Sequence, residues 1–278
     1  MKKRIINLLA AAIILIGCFV LLYPTISNFF TQKNGSYAID SYNDTLNQLE
    51  TAKKNEILEK AQAYNKTLIG NQTAGDPFSG KEAGQDEYWS LLDIEGNGLM
   101  GYIQIPKIHV ELPIYHGTNE NVLQKGIGHW KGSSLPVGGS STHAVLTGHR
   151  GLPTIDLFSD LDQMTEGDVF YLKVLGETLA YQVDQIQTVL PEETESLQVY
   201  EGEDYVTLVT CTPYAVNTHR LLVRGTRIPY EEAVKVVPDQ VKQKVWVPVE
   251  VKAMLIVLSA LPVIGIVYGI YRLRRKKK

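Results

Sequence analysis

The sequence predicts a mostly β fold, a barrel or sandwich with short rim helices, preceded by a helical region and framed by two membrane-spanning helices. Three observations predict it. Between residues 100 and 228 short β-branched runs follow one another at close spacing, with turn residues between them. Ahead of them lies a stretch with apolar residues at helical spacing. At the ends stand two uncharged apolar stretches, residues 5–23 and 253–271, each within the roughly 17 to 25 residues that a membrane-spanning helix needs.

Taken in order, residues 1–4 form a short tail with Lys2, Lys3 and Arg4, and residues 272–278 form a second tail with six Lys and Arg. Basic residues stay on the cytoplasmic side, so both termini are expected in the cytoplasm, with the chain between them outside a cell membrane crossed twice. That outer part keeps 18 of the 27 Lys and Arg against all 30 Asp and Glu, a balance of −12. The first apolar run continues past Cys18 to Pro24 without a small-x-small site, and the bulky Ile16 does not suit a lipoprotein cleavage box. It reads as a retained anchor, with Cys18 a small membrane-buried hydrophobe. Cys211 then has no disulfide partner in a compartment where thiols are normally paired. It is a reactive thiol, an intermolecular bridge or an inert buried cysteine.

Residues 24–98 read as a helical region with a loop at about 70–84. A helix is expected over 40–68, with Leu46, Leu49, Ile57, Ala61, Tyr64 and Leu68 on one stripe, Asp40 or Ser41 as its cap, and Gly70 as its end. The loop carries Asp76-Pro77-Phe78; an aromatic there has little reason to face water and is expected to dock. The β-rich domain occupies 99–228, with strands expected at 101–105, 110–114, 142–146, 168–173, 178–189, 206–210 and 221–225. Short rim helices are expected at 119–124 and 155–161. Residues 229–252 read as an extracellular spacer to the second span.

The chemistry gathers around Cys211, which ends one β-branched run, and Arg220, which opens the next nine residues later. A strand ending on a thiol, a Pro-containing loop and a return strand bearing a guanidinium make half of a nucleophilic site. Of the six histidines, His149 has the setting of a base: in Leu146-Thr147-Gly148-His149-Arg150-Gly151 an apolar strand breaks into a glycine-flanked loop that leaves an imidazole accessible. His143, inside that strand, reads as structural, and His219 alternates with Arg220 and faces the other way.

These residues resemble the sortase family of Gram-positive surface transpeptidases: Thr207-Leu208-Val209-Thr210-Cys211 with Arg220 downstream and Leu146-Thr147-Gly148-His149 upstream. The resemblance runs from about residue 100 to 225. The second apolar stretch and Asp76-Pro77-Phe78 are similar to the class C, pilin-polymerising subgroup, which carries a C-terminal membrane segment and a lid with an Asp-Pro-aromatic motif. The resemblance implies a closed sortase-type β-barrel and a catalytic set of Cys211, His149 and Arg220. It implies a lid of Asp76, Pro77 and Phe78, in which Asp76 pairs with Arg220 and Phe78 lies against Cys211. It implies cleavage of a Leu-Pro-x-Thr-Gly sorting signal between Thr and Gly through a thioacyl enzyme. It implies that His149 holds a thiolate as an ion pair or serves as the acid for the leaving amine, and that Arg220 donates to the oxyanion or positions the substrate backbone.

The partners implied are pilin or surface-protein substrates and the membrane. Neither a nucleic acid, a cofactor nor a metal is expected, and the histidines lack tight ligand spacing. A housekeeping enzyme anchoring proteins to the cell wall would share the catalytic set; the lid favours pilin polymerisation. A papain-like hydrolase would place its Cys upstream of its His, and a β-rich surface scaffold would need neither His149 nor Arg220.

Overall fold

Why the apolar runs are so continuous becomes clear in the computed structural model, which describes residues 2–70, 75–80, 86–152 and 155–237, with most side chains of 2–21 outside the description. Eight strands close a barrel in the order β1-β2-β3-β4-β7-β8-β6-β5. They are β1 (Leu99–Ile105), β2 (Val110–His116), β3 (Ile127–His129), β4 (Thr142–Thr147), β5 (Val169–Val174), β6 (Glu177–Val189), β7 (Asp204–Thr212) and β8 (His219–Ile228). The β2/β3 and β4/β7 pairs are parallel and the others antiparallel.

Several of these strands are covered on both faces. Ile103, Ile114, Leu146, Phe170, Leu208 and Val223, from six strands, belong to the main core. Their neighbours Val145, Val209 and Leu222 belong to a second cluster with Trp130 and Leu197. Adjacent residues of a strand face opposite ways, so the second cluster marks the outer face of β4, β7 and β8. A strand buried on both sides reads as an unbroken apolar run, and all six residues of β4 are buried.

The helical region departs from expectation in its boundaries. α1 runs over Lys2–Gln48, and α2 over Thr51–Thr67. Asp40 and Ser41 therefore lie inside α1 and cap nothing. Ser41 instead donates to Glu95 at 2.6 Å, and Thr45 joins it at 3.1 Å. The expected single helix over 40–68 breaks at Leu49 and Glu50 with no Gly or Pro to signal it. Packing explains the break: Leu46 before it and Ala61 after it both enter the main core, with Leu49, Ile57 and Tyr64 against it. The expected apolar stripe is thus present on two helices. α2 stops before Gly70, which takes a positive φ of 79° in the turn that follows.

Two buried polar groups fasten these helices to the barrel. Tyr42 of α1 donates to Met100 O at 3.1 Å and accepts from Leu175 N at 2.9 Å, tying β1 to the β5–β6 turn. Asn65 of α2 pairs with both backbone groups of Leu135, at 2.7 and 3.1 Å.

The seven expected strands are all present, most extended by one to three residues; β3, three residues long, was not expected. α3 (Glu120–Leu123) stands where the first rim helix was expected, with Asn119 accepting from Val122 N. Residues 155–161 form no helix; one 3-10 turn follows at Leu161–Gln163. The segment is held as a loop by Phe158 N donating to His149 O at 3.1 Å. The spacer opens on a helix, α4 (Tyr230–Val236).

The chain divides into two units, the larger being Asn28–Lys242. In the other, Ile5, Ile13, Ile16, Phe19 and Val20 are each more than half exposed. Among the described residues no helix is long and apolar enough to cross a membrane. The first expected span, residues 5–23, lies within α1 with most of its side chains outside the description, and the second, residues 253–271, lies outside it altogether.

Candidate active site

Strand register assembles the site. In the antiparallel β7/β8 pair Cys211 stands directly across from Arg220, and Thr212 from His219. In the parallel β4/β7 pair the ladder ends at Thr147 opposite Val209. It is then prolonged by Gly148 N donating to Val209 O at 3.0 Å, while Thr210 Oγ1 donates to Gly148 O at 2.7 Å. Continued by two residues past Thr147 and Val209, the same register leads to His149 and Cys211. Counting by twos from Val145, Val209 and Leu222 puts His149, Cys211 and Arg220 all on the outer face, above the second apolar cluster. Glycine before His149 is a packing requirement, since a Cβ on Gly148 would lie 2.7 Å from the Phe158 ring and 2.8 Å from Ile127 Cδ1.

The loop bearing Asp76-Pro77-Phe78 docks on this face. Asp76 grips Arg220 with both oxygens, Oδ1 to Nε at 2.9 Å and Oδ2 to Nη2 at 2.6 Å. Nη1 of Arg220 donates to the carbonyls of Asn217 and His219 at 3.3 and 3.1 Å. The Phe78 and Ser79 amides donate back to Asp76 at 3.0 and 2.9 Å, closing a compact turn around a buried Pro77. Phe78 packs on the second apolar cluster, its ring 5.0 Å from the Arg220 guanidinium and 5.8 Å from the His149 ring. This is why the aromatic does not face water: it covers Trp130, Val209 and Leu222.

Cys211 is itself buried. Burial pushes its thiol above the ordinary range; the Arg220 charge pulls it down and Asp76 pushes it up again. The arrangement therefore favours the uncharged thiol while Asp76 is in place.

Two further residues bear on the site, and no motif singles them out. Arg150, with its side chain 8 % exposed, donates to Ser159 O at 3.1 Å and Thr212 Oγ1 at 3.3 Å and pairs with Asp162. One guanidinium so joins the loop of His149 to the last residue of β7, next to Cys211. Its position beside His149 is the only sequence signal that could have found it. Glu120, at the start of α3, brings Oε2 to 3.5 Å from His149 Nε2.

The other histidines serve the framework. His143 is buried between Gln198 O and Thr207 Oγ1, both at 2.7 Å, and His129 between Ser134 O and the Tyr88 hydroxyl. His219 lies beside Thr218. Among the described residues no group of three His, Cys, Asp or Glu is placed to hold a metal.

Comparison with known proteins agrees with this geometry. The sortase domain family model matches residues 103–228. The crystal structure of sortase C from Streptococcus pneumoniae is 52 % identical and superposes with a TM-score of 0.65, over 70 % of this chain and 97 % of that one. Sortase C1 from Streptococcus agalactiae is 51 % identical with a TM-score of 0.64, over 69 % and 98 %. Among curated relatives, sortase D of Bacillus subtilis is 29 % identical over 131 residues, 46 % of this chain and 63 % of that protein. The match thus spans less than two thirds of that relative. With barrel, thiol–guanidinium register and identities near one half in agreement, the chain belongs to the sortase family of cysteine transpeptidases, in its class C.

Proposed function

We propose that this protein is a membrane-held transpeptidase that polymerises pilins, with Cys211 as nucleophile, His149 as acid–base group, Arg220 as oxyanion donor and Asp76, Pro77 and Phe78 as lid. The observation that carries the reading is the convergence of thiol, imidazole and guanidinium on the outer face of β4, β7 and β8. Once the lid is displaced, Cys211 gives its proton to His149. The thiolate attacks the threonine carbonyl carbon of a Leu-Pro-x-Thr-Gly signal, and the displaced electron pair settles on an oxygen held by Arg220 N–H donors. Collapse breaks the Thr–Gly C–N bond, and the glycine nitrogen takes a proton from His149 as it leaves. A lysine amine of the next pilin then gives a proton to His149, attacks the thioester and expels the thiolate, leaving an isopeptide bond. Removing one such oxyanion donor typically costs on the order of 10² to 10³ in rate.

Asp76 occupies the Nε and Nη2 edge of Arg220, so substrate must displace it first. A lid that also excludes water protects a thioester meant for an amine. The pneumococcal relative is described in terms of pilin substrate specificity, which supports a pilin as substrate. Residues 5–23 and 253–271 are the proposed spans. Between them lie the helical region 24–98, the catalytic barrel 99–228 and the spacer 229–252, all outside the cell, with the tails 1–4 and 272–278 inside. The exposed Ile5, Ile13, Ile16, Phe19 and Val20 suit contact with lipid.

The test incubates the full-length protein in detergent micelles with a Leu-Pro-x-Thr-Gly peptide and seeks an acyl adduct on Cys211 by mass spectrometry. An adduct is expected, increased by Asp76→Ala with Phe78→Ala and abolished by Cys211→Ala. Absence of an adduct in both folded wild type and lid variant overturns the reading. Adding a lysine-bearing pilin is expected to yield an isopeptide-linked ladder; acceptance only of a cell-wall precursor amine would reassign the enzyme to protein anchoring.

A further inference from the structure

Nε2 of His149 is one of three buried side-chain polar atoms that lack a hydrogen-bond partner among the described residues, with Thr147 Oγ1 and Ser196 Oγ. A buried donor or acceptor is costly to leave unpaired, so its surroundings are informative. The group it faces is Glu120 Oε2 at 3.5 Å, within ion-pair range but without hydrogen-bond geometry. The Glu120 side chain is not aimed there freely: its other oxygen accepts from Gln124 Nε2 at 2.9 Å, one turn on. The backbone beneath is fixed too, because Asn119 caps α3 and accepts from Val122 N at 3.3 Å.

We propose that Glu120 is the positioning residue of His149: its carboxylate, steered by Gln124, draws the proton of the imidazole to Nε2 and fixes the ring plane, leaving Nδ1 for the reacting groups. This rests on the reading of His149 as the acid–base group. An imidazole has two neutral tautomers, and a carboxylate beside one nitrogen favours the tautomer whose N–H points at it. The cleft needs one nitrogen to exchange protons with amines, and a ring free to flip would present either. The Phe78 ring bears on the imidazole 5.8 Å away, and a Cβ on Gly80 would lie 3.6 Å from Asn119 Cα. The lid segment therefore runs close to both the ring and the backbone next to Glu120. With its side chain 63 % exposed, Glu120 acts through water-screened contact, so the effect is moderate.

The experiment uses the full-length protein, with and without Phe78→Ala, and two readouts. Steady-state transpeptidation is expected to lose about tenfold in kcat for Glu120→Ala with KM within about twofold, since the proton-transfer step is affected and substrate binding is not. Glu120→Gln, which keeps an acceptor oxygen without the charge, is expected to recover part of that loss. Gln124→Ala, which frees only the steering oxygen, is expected to lose two- to threefold. ¹⁵N spectra of histidine-labelled protein, with the His149 signal identified by its absence in His149→Ala, are expected to show the Nε2–H form in wild type and a mixture in Glu120→Ala. Unchanged kcat and an unchanged tautomer in Glu120→Ala, while His149→Ala is inactive, overturn the inference and leave the role of His149 standing. Retained activity in His149→Ala overturns the reading of the site itself. A loss confined to thermal stability, with kcat and tautomer preserved, likewise overturns the inference.

Discussion

Arg220 and Cys211 face each other across one rung of a ladder, yet in this structure the charge of Arg220 is spent on Asp76. Burial and two charges thus set the state of one thiol: burial and Asp76 push it toward the neutral form, and Arg220 pulls the other way. Replacing Asp76 by Asn removes one of the two upward influences and loosens the guanidinium, so the pH at which Cys211 reacts with an alkylating reagent is expected to fall. Phe78→Ala is expected to act in the same direction by admitting water, and to raise the alkylation rate at pH 7 several-fold. An alkylation profile unchanged in both variants would show that the thiol is governed elsewhere. At this scale the sequence was highly legible for residues that belong to a motif. Glu120 and Arg150 were not legible, because their significance lies in distances to His149 and Thr212 that no spacing along the chain encodes.

The helix–barrel joints are where an element depends on a single side chain. Asn65 imitates a strand neighbour by pairing with both the N–H and the C=O of Leu135, a fully buried residue. Asn65→Ala leaves the Leu135 N–H without its partner, while the Leu135 carbonyl keeps the Val137 amide at 2.8 Å. The loss is expected to be about 1 to 3 kcal/mol for the orphaned donor, measured as a lowered denaturation midpoint. A loss below about 1 kcal/mol would mean that water replaces the amide. Element boundaries were legible where local chemistry sets them, as at Asn119, and hidden where packing does. The break between α1 and α2 lies among ordinary helix formers, because Leu46 and Ala61 reach the same core from different directions. β3 is too short to show alternation and is defined only by its neighbours in the barrel. The loop after His149 carries helix-compatible residues, but its backbone is committed to the His149 carbonyl.

For the molecule as a whole, the closed barrel buries His129 and His143 completely, and burial holds both in the neutral form, with pKa values lowered to about 4. His116 moves the same way through burial, against its contacts with the carbonyls of Gly98 and Leu91. In the unfolded chain these rings take up protons below about pH 6.5. Their folded values being lower, the stability they contribute is present above pH 6.5 and is lost as the pH falls toward 4. Each of the two deepest histidines accounts for on the order of 3 kcal/mol across that window. Urea denaturation between pH 7 and 4 is expected to follow this slope, and His143→Gln to flatten it; a pH-independent midpoint would contradict it. The barrel class was legible because doubly covered strands write themselves as apolar runs, whereas closure and strand order depend on pairings far apart in sequence. The pair formed by Asp76 and Arg220 is another such long-range pairing, spanning 144 positions. Because both groups belong to one chain, the guanidinium meets that carboxylate at an effective concentration of order millimolar, which dilution of the protein does not lower. A free anion in solution must compete against that figure for the guanidinium, so the loop of Asp76 holds its place on Arg220 however dilute the protein is.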